Sequence, residues 1–305
     1  MTISSNAELL PGMSVRGRWN KSTYLIERKL GEGANGHVYL VVGGTEAKQG
    51  RYALKVGFNT SDLQSEINLL KKLAPRVNKK PFFIDADDYM DVEDVHSFYV
   101  MQYVEGITMS SFIDKKGTDW LYLTGYYLLS RLIELHKRGF AFCDVKPSNV
   151  VVSAYGQVEL IDYGGASPFG KSVRQFTEMY DRGYWNCGSR SADSGYDLFA
   201  FCLVFMQLAG AAQPGKGEEL LPQIRSKSEL FQAIKDCPTC HNIAPVLHGM
   251  INGTYLDSGK ALEDWKRRMH TFGVGPKQTI TIPWLGGLAV VSALLLTVSV
   301  YVVFN

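Results

Sequence analysis

Net charge is nearly absent from this chain: 32 lysines and arginines against 30 aspartates and glutamates leave +2 on 305 residues. So balanced a chain has no global attraction for nucleic acid or a membrane surface, and any such partner has to be met by a local cluster. Disulfide potential is equally thin. Five cysteines, an odd number with one close pair at Cys237 and Cys240, make no cross-linked framework and predict a reducing compartment. The opening stretch, MTISSNAELLPGM, lacks a basic n-region and an apolar run of signal-peptide length, which predicts that the soluble part stays in the cytosol. There is no internal repeat.

Apolar residues are plentiful, at 46%, enough to fill the core of one large two-lobed domain with a small appendage. The appendage is at the far end. From Trp284 to Phe304, WLGGLAVVSALLLTVSVYVVF carries no charge, and at ~1.5 Å of helical rise per residue it covers the ~30 Å hydrocarbon core of a bilayer. Trp284 at one end, and Tyr301 with Phe304 at the other, suit interfacial anchors. Lys260, Lys266, Arg267, Arg268 and Lys277 precede the run and only Asn305 follows it, so the positive-inside bias predicts a C-terminal anchor with the rest of the chain in the cytoplasm. YDLFAFCLVFMQLAG, residues 196 to 210, is shorter, carries Asp197, and is expected to be a core helix.

Between residues 23 and 56, strand-like runs alternate with turn signals: TYLIERKL, GEGANG, HVYLVV, GGTEAKQG, RYALKV. That order predicts a small antiparallel sheet. SDLQSEINLLKKL then repeats Leu63, Ile67, Leu70 and Leu73 at helical spacing, with Ser61 as the expected N-cap. A strand, SFYVMQYV, leads into a mostly helical half, in which LYLTGYYLLSRLIELHKRG closes on Gly139 as its C-cap. The expected fold is α+β with two lobes: a β-rich lobe over 14–104, a helical lobe over 105–270, a linker over 271–283 and a membrane helix over 284–304.

Gly31, Gly33 and Gly36 form G-x-G-x-x-G, followed by Val38. Alone the pattern is weak and suits a plain hairpin turn; between two strands it suits a loop whose backbone approaches phosphates. Lys55, on the next strand, would reach those phosphates with its ammonium, and Glu66 on the following helix would hold it in place. Either residue alone reads equally as a solvated charge. The strongest element is CDVKPSN. Phosphoryl transfer needs a carboxylate to orient and deprotonate the acceptor hydroxyl, a cation on the moving group and oxygen ligands for Mg²⁺. Asp144, Lys146 and Asn149 supply those roles in one loop, and Asp162 in LIDYGG suits a second metal-ligand position.

With these motifs, the chain over roughly residues 24 to 210 resembles the Hanks-type (eukaryotic-like) Ser/Thr protein kinases: GEGANGHV, YALKV, VMQYVEG, DVKPSN, DYGG and YDLFAF stand in that family's order. The resemblance implies ATP and Mg²⁺ as cofactors, and protein substrates with serine or threonine acceptors. It implies that Val38 and Ala53 border the nucleotide, that Met101 is the gatekeeper, that backbone groups of Gln102 and Val104 bind adenine, and that Asp197 braces the catalytic loop. RGRWN, LGEGANGHVYL and YDRGYWNCGSR, with a single C-terminal span, look more narrowly like the YabT-type membrane kinases of spore-forming bacteria, which implies a sporulation-related role.

Departures accompany the matches. Phe142 and Cys143 stand where His-Arg is usual, Tyr163 replaces the phenylalanine after the metal-binding aspartate, and no Ala-Pro-Glu occurs in 183 to 195. The missing arginine removes the cation that receives an activation-segment phosphate, yet no atom that touches ATP. Ser167, Ser172 and Thr177 are candidate autophosphorylation sites, with Lys171, Arg174 and Arg182 as alternative local cations. These departures keep one rival open, a pseudokinase acting as a membrane-tethered binding module; a second, a small-molecule phosphotransferase, stays open because such enzymes can share the two lobes, and by the family likeness Lys146 speaks for a protein acceptor instead. CPTCH, from Cys237 to His241, lacks the further ligands zinc needs. The acidic run Asp85, Asp87, Asp88, Asp91, Glu93, Asp94 reads as a solvated connector. WKRRMH beside the span suits anionic lipid, whereas Lys71, Lys72, Arg76, Lys79 and Lys80 leave DNA as a minority reading against a solvated face. Oligomeric state is left open.

Overall fold

A computed structural model describes residues 8–272 apart from 34, 46–47, 74–81, 92–93, 175 and 213–224. The first lobe is a six-stranded antiparallel sheet built from β1 (Ser14–Arg16), β2 (Thr23–Gly33), β3 (Gly36–Thr45), β4 (Lys48–Gly57), β5 (Phe83–Asp91) and β6 (Asp94–Gln102), in spatial order β1-β2-β3-β4-β6-β5. Alternation decides which side chains go inward. Tyr24 and Ile26 on β2, Tyr39 and Val41 on β3, Leu54 and Val56 on β4, and Phe98 and Val100 on β6 make one core face. The opposite face, with Ala53, Tyr99 and Met101, is covered by Leu63, Ile67 and Leu70 of α1 (Thr60–Lys72).

Two expectations are corrected here. The N-cap of α1 is Asn59, not Ser61: Asn59 is extended, and its side-chain oxygen accepts the backbone N–H and the hydroxyl of Ser61, each at 2.8 Å. The acidic run is not a solvated connector. Asp85, Asp87, Asp88 and Asp91 lie in β5 and Asp94 opens β6, and carboxylates of β5 hold the N-terminal strap; Glu93 lies outside the described residues. Buried Asp87 accepts the N–H groups of Trp19 (3.0 Å) and Asn20 (2.7 Å), while Asp85 accepts the Asn20 amide (2.7 Å). Gly17 is required there, because a Cβ would lie 2.4 Å from Asp87 Oδ2. Aspartate is a poor strand former, so this strand is invisible to propensity and exists because the carboxylates meet donors.

β7 (Ile107–Thr108) opens the second lobe and pairs with β9 (Val150–Val152), which pairs in turn with β10 (Val158–Leu160); β8 (Phe140–Ala141) pairs with β11 (Ser167–Pro168). Around these short ladders pack α2 (Met109–Lys116), α3 (Leu121–His136), α4 (Ser194–Leu208), α5 (Lys227–Asp236), α6 (Pro238–His241), α7 (Ala244–Asn252) and α8 (Ser258–Phe272). The expected core helix is α4, buried continuously from Tyr196 to Met206. α3 stops at His136, before the expected cap; Gly139, at φ +77°, instead turns the chain into β8.

Trp265 on α8 is fully buried against Phe201 and Phe205 and donates its indole N–H to Tyr122 C=O at 3.0 Å. The expected linker therefore begins inside the last turn of this core helix. The rest of that linker, the apolar run 284–304, Lys277 and residues 76, 79 and 80 of the basic cluster lie outside the described residues. Among the described residues no helix is long and apolar enough to cross a membrane.

Candidate active site

The β2–β3 hairpin brings Gly33 opposite Gly36 and forms a flap over the cleft between the lobes. A Cβ at Gly36 would meet Val56 C=O at 2.1 Å, so this glycine is needed for strand packing. Gly31 is different: a Cβ there has nothing within 4 Å, and at Gly33 it would lie 3.5 Å from Asp162 Oδ2. Those two glycines thus border open space above Asp162, a cradle that side chains would fill. Behind it, Leu30 and Val38 pack against the cluster holding Ala53 and Met101, an apolar slot of the kind that accepts a purine. Gln102 gives its N–H to Phe82 C=O at 2.8 Å, so a base contact from Gln102 falls to its carbonyl; Val104 is half-buried beyond the strand's end.

Lys55 projects from β4 into this cleft. Its Nζ lies 3.1 and 2.9 Å from the two carboxylate oxygens of Glu66 on α1, and 2.9 Å from Asp162 Oδ1. Lys55 and Glu66 are both buried. Burial pushes the Glu66 carboxyl above the ordinary carboxylate range, with the Lys55 ammonium opposing. For Lys55 burial works downward, but Glu66 and Asp162 together outweigh it and the net shift is upward.

The loop between β8 and β9 supplies the other half. Asp144 Oδ2 receives Lys146 Nζ at 2.7 Å and the Asn149 amide at 2.9 Å. That leaves Oδ1 for a hydroxyl, and Thr177 presents one at 3.3 Å. Asp144 is therefore held by one oxygen and open on the other, which suits a group that orients and deprotonates an alcohol. The loop itself is braced by buried Asp197, whose oxygens accept the N–H groups of Phe142 (2.6 Å) and Cys143 (2.8 Å) and meet His136 Nε2 at 3.0 Å.

The residues fit a magnesium ion. Asn149 spends its amide N–H on Asp144, so its side-chain oxygen is available, and Asp162 keeps Oδ2 outside the Lys55 pair at a half-exposed carboxylate. One carboxylate, one amide oxygen and substrate phosphates make a usual Mg²⁺ set. Among the described residues no three His, Cys, Asp or Glu side chains gather into a metal cluster. Cys240 is buried in the second lobe's core, Cys237 Sγ faces Ala209 C=O at 3.5 Å, and His241 Nε2 turns to Lys235 C=O at 2.7 Å.

The activation segment changes several expectations. Ser167 is buried in β11 with its hydroxyl on Gly165 C=O, so it is no accessible phosphorylation site in this conformation. Ser172 is exposed, and Thr177 is the one candidate of the three within hydrogen-bond reach of Asp144. Arg182 is no spare cation, because it forms a two-pronged pair with Asp193 at 2.8 and 2.6 Å; Lys171 and Arg174 are exposed and make no ion pair among the described residues. In place of the missing Ala-Pro-Glu, fully buried Asp181 gathers the N–H groups of Gly183 and Tyr184, the Tyr196 hydroxyl and the Arg190 guanidinium. Cys143 is buried among Ala141, Val173, Ala192 and Tyr196, which holds the segment by apolar contact where an arginine would await a phosphate.

Sequence reasoning missed Tyr99, whose hydroxyl donates to Glu66 Oε1 at 2.8 Å, and His136, which links Asp197 to Ser258 Oγ at 2.9 Å. Neither belongs to a local motif. The apolar periodicity of their own elements is the only signal they leave.

Comparison with known proteins agrees with this geometry. The protein kinase domain family matches residues 24–254. The chain is similar to the serine/threonine-protein kinase YabT of Bacillus subtilis (strain 168), with 34% identity over 261 residues, 84% of this chain and 74% of that protein. It is also similar to the sporulation protein kinase mde3 of Schizosaccharomyces pombe, with 31% identity over 208 residues, 60% of this chain but 36% of that protein. With the serine/threonine-protein kinase CLA4 of Candida albicans it shares 22% identity over 209 residues, 21% of that protein's length.

Proposed function

This chain belongs to the protein kinase family, and from that premise we propose that it is a membrane-anchored serine/threonine kinase whose catalytic domain faces the cytoplasm. ATP-dependent transfer to serine and threonine hydroxyls is the family's activity. One observation carries it to these residues: three segments bring them together, with Lys55 of β4 on Asp162 beneath the glycine flap, and Asn149, which holds Asp144 in the β8–β9 loop, accepting at its backbone carbonyl the N–H of Ile161, the residue before Asp162, at 3.0 Å. Lys55 holds the nucleotide's phosphates, and Glu66 fixes Lys55. Asp162 and Asn149 would hold Mg²⁺, which when bound would neutralise charge on the phosphates. Asp144 Oδ1 takes the acceptor hydroxyl's proton while Lys146, on Oδ2, keeps the carboxylate turned. Incubation with labelled ATP and a protein acceptor tests this; Asp144→Asn should lower transfer by about 10²- to 10⁴-fold, and equal transfer in both proteins would remove the assigned base.

Anchoring is supported by the uncharged run 284–304 and the basic residues before it. The exposed face of α8 presents Lys260, Lys266, Arg267 and His270, with Glu263 among them, a composition suited to anionic headgroups near the bilayer. Membranes carrying the full chain should retain it through alkaline extraction, and protease added to sealed right-side-out vesicles should spare the kinase domain. A nucleic-acid partner would rest chiefly on residues 76, 79 and 80; Lys71, of the same cluster, lies over the Phe83 ring. We carry a sporulation-related role in the proposal because of the YabT-type likeness, and comparing phosphoproteins of a Lys55→Met strain with wild type through spore formation tests it.

A further inference from the structure

Among the described residues Tyr99 is the one hydroxyl that bonds the Lys55–Glu66 pair, and the family motifs do not include it. It lies on β6, one strand over from Lys55 and directly paired with it across the sheet. Its ring is buried in the cluster between the sheet and α1, and its hydroxyl donates to Glu66 Oε1 at 2.8 Å. The same oxygen receives Lys55 at 3.1 Å, while Oε2 receives Lys55 at 2.9 Å.

Lys55 has two carboxylates to choose between. Asp162 Oδ1, at 2.9 Å, is as near as Glu66, and Asp162 is half-exposed where Glu66 is buried. A buried carboxylate is the more expensive of the two to keep ionised. Without a second donor it would tend to take up a proton and give up the ammonium to Asp162, the residue that must be released to bind metal.

We propose that Tyr99 is a positioning residue for the kinase reaction: its hydroxyl keeps the Glu66 carboxylate ionised and oriented, so that Lys55 stays on α1 and Asp162 is left to the metal. This rests on reading the cleft under the glycine flap as the nucleotide site. The direction of the Glu66 shift is consistent: burial raises it, and the Tyr99 hydroxyl acts against that rise alongside Lys55. Tyr99→Phe removes one oxygen from an otherwise unchanged buried ring, so the fold has no cavity to collapse into.

Two measurements separate this from a packing role. The first uses the ligand-free full chain: the carboxylic-acid stretch of protonated Glu66, identified by its disappearance in Glu66→Gln, should emerge at higher pH in Tyr99→Phe than in wild type. The second is kinetic. Tyr99→Phe should raise KM for MgATP about tenfold, leave KM for a protein acceptor unchanged, and move the acid limb of kcat/KM for MgATP upward in pH. In a Glu66→Gln background the same substitution should have no further effect on KM. An unshifted infrared titration with an unmoved acid limb would overturn the proposal, as would equal effects of Tyr99→Phe with and without Glu66. If the shift in Glu66 appeared but Asp144→Asn left transfer intact, the positioning role would stand and the assignment of the base would fall.

Discussion

Asp197 Oδ1 accepts the backbone N–H of Cys143 at 2.8 Å, and Cys143 sits at φ +66°, a left-handed conformation that a non-glycine residue rarely adopts. The carboxylate over-determines this turn, because Oδ2 simultaneously accepts Phe142 N–H at 2.6 Å. Two donors therefore need two acceptor oxygens. An asparagine has one, and whichever way its amide is turned an NH₂ group faces an N–H. Asp197→Asn should therefore release the strained turn and displace Asp144, lowering kcat by about 10²-fold, the scale of a 1 Å misplacement. KM for MgATP should change little, since Lys55 and the glycine flap are untouched. A variant with wild-type kcat would show that the loop holds its shape without this brace.

Cys143 also makes a prediction about regulation. Its side chain is 2% exposed, packed against Val173, Ala192 and Tyr196, and burial pushes its thiol pKa up, so it is a neutral apolar plug at pH 7. Restoring the family's arginine by Cys143→Arg would put a guanidinium into that cluster with no carboxylate to spare, since Asp197 already serves three donors. We expect a loss of ~3 kcal/mol or more in unfolding free energy and no gain in activity on treatment with an activating kinase. Wild-type activity should likewise survive phosphatase treatment, because the segment is docked by packing and by Asp181. Loss of activity on dephosphorylation would show that a phosphate is required after all.

The sequence made the catalytic chemistry legible and the scaffold around it less so, for one physical reason. Asp144, Lys146 and Asn149 act within one short loop, so their spacing is itself the geometry, and the strand-turn-strand context of Gly31 to Gly36 follows from local pattern. Tyr99, His136 and Asp181 do their work across the fold, where nothing in the neighbouring residues signals the partner. Glu66 lies between these cases: its helix was visible, yet only the sheet-to-helix packing of Leu63, Ile67 and Leu70 fixes its distance from Lys55. β5 was missed because its aspartates mimic a solvated loop until the donors of Trp19 and Asn20 are placed beside them.

The glycine flap separates steric from functional glycines. A Cβ at Gly36 would collide with a backbone carbonyl at 2.1 Å, which no side-chain motion relieves. Gly36→Ala should cost ~1–3 kcal/mol of stability in the nucleotide-free protein. Gly31→Ala meets nothing within 4 Å and should stay within about 0.5 kcal/mol of wild type, while weakening nucleotide binding because its methyl enters the space left for phosphates. Thermal melts without nucleotide, paired with nucleotide titrations, give the two readouts. Equal melting losses in both variants would mean that the flap is packed shut and that the space above Asp162 is not a cradle.

Asp87 carries the last prediction, since it joins the N-terminal strap to the sheet far from the catalytic cleft. Its carboxylate is buried and accepts Trp19 N–H and Asn20 N–H, and the strap it holds lays Leu9 and Val15 over the outer core of Tyr24, Tyr39 and Phe98. Removing the acceptor leaves two backbone donors without their charged partner, and hydrogen bonds to a charged group are worth ~1.5–3 kcal/mol each. Asp87→Ala should therefore lower stability by at least ~2 kcal/mol and expose residues 8–20 to limited proteolysis before the rest of the lobe. Asp87→Asn, which keeps one acceptor oxygen, should fall between. KM for MgATP should be unaffected in both at temperatures where the protein stays folded, because α1 and Lys55 pack on the opposite face of the sheet. A strap as protease-resistant in Asp87→Ala as in wild type would mean that apolar burial of Leu9 and Val15 alone holds it, and that the acidic strand serves some other end.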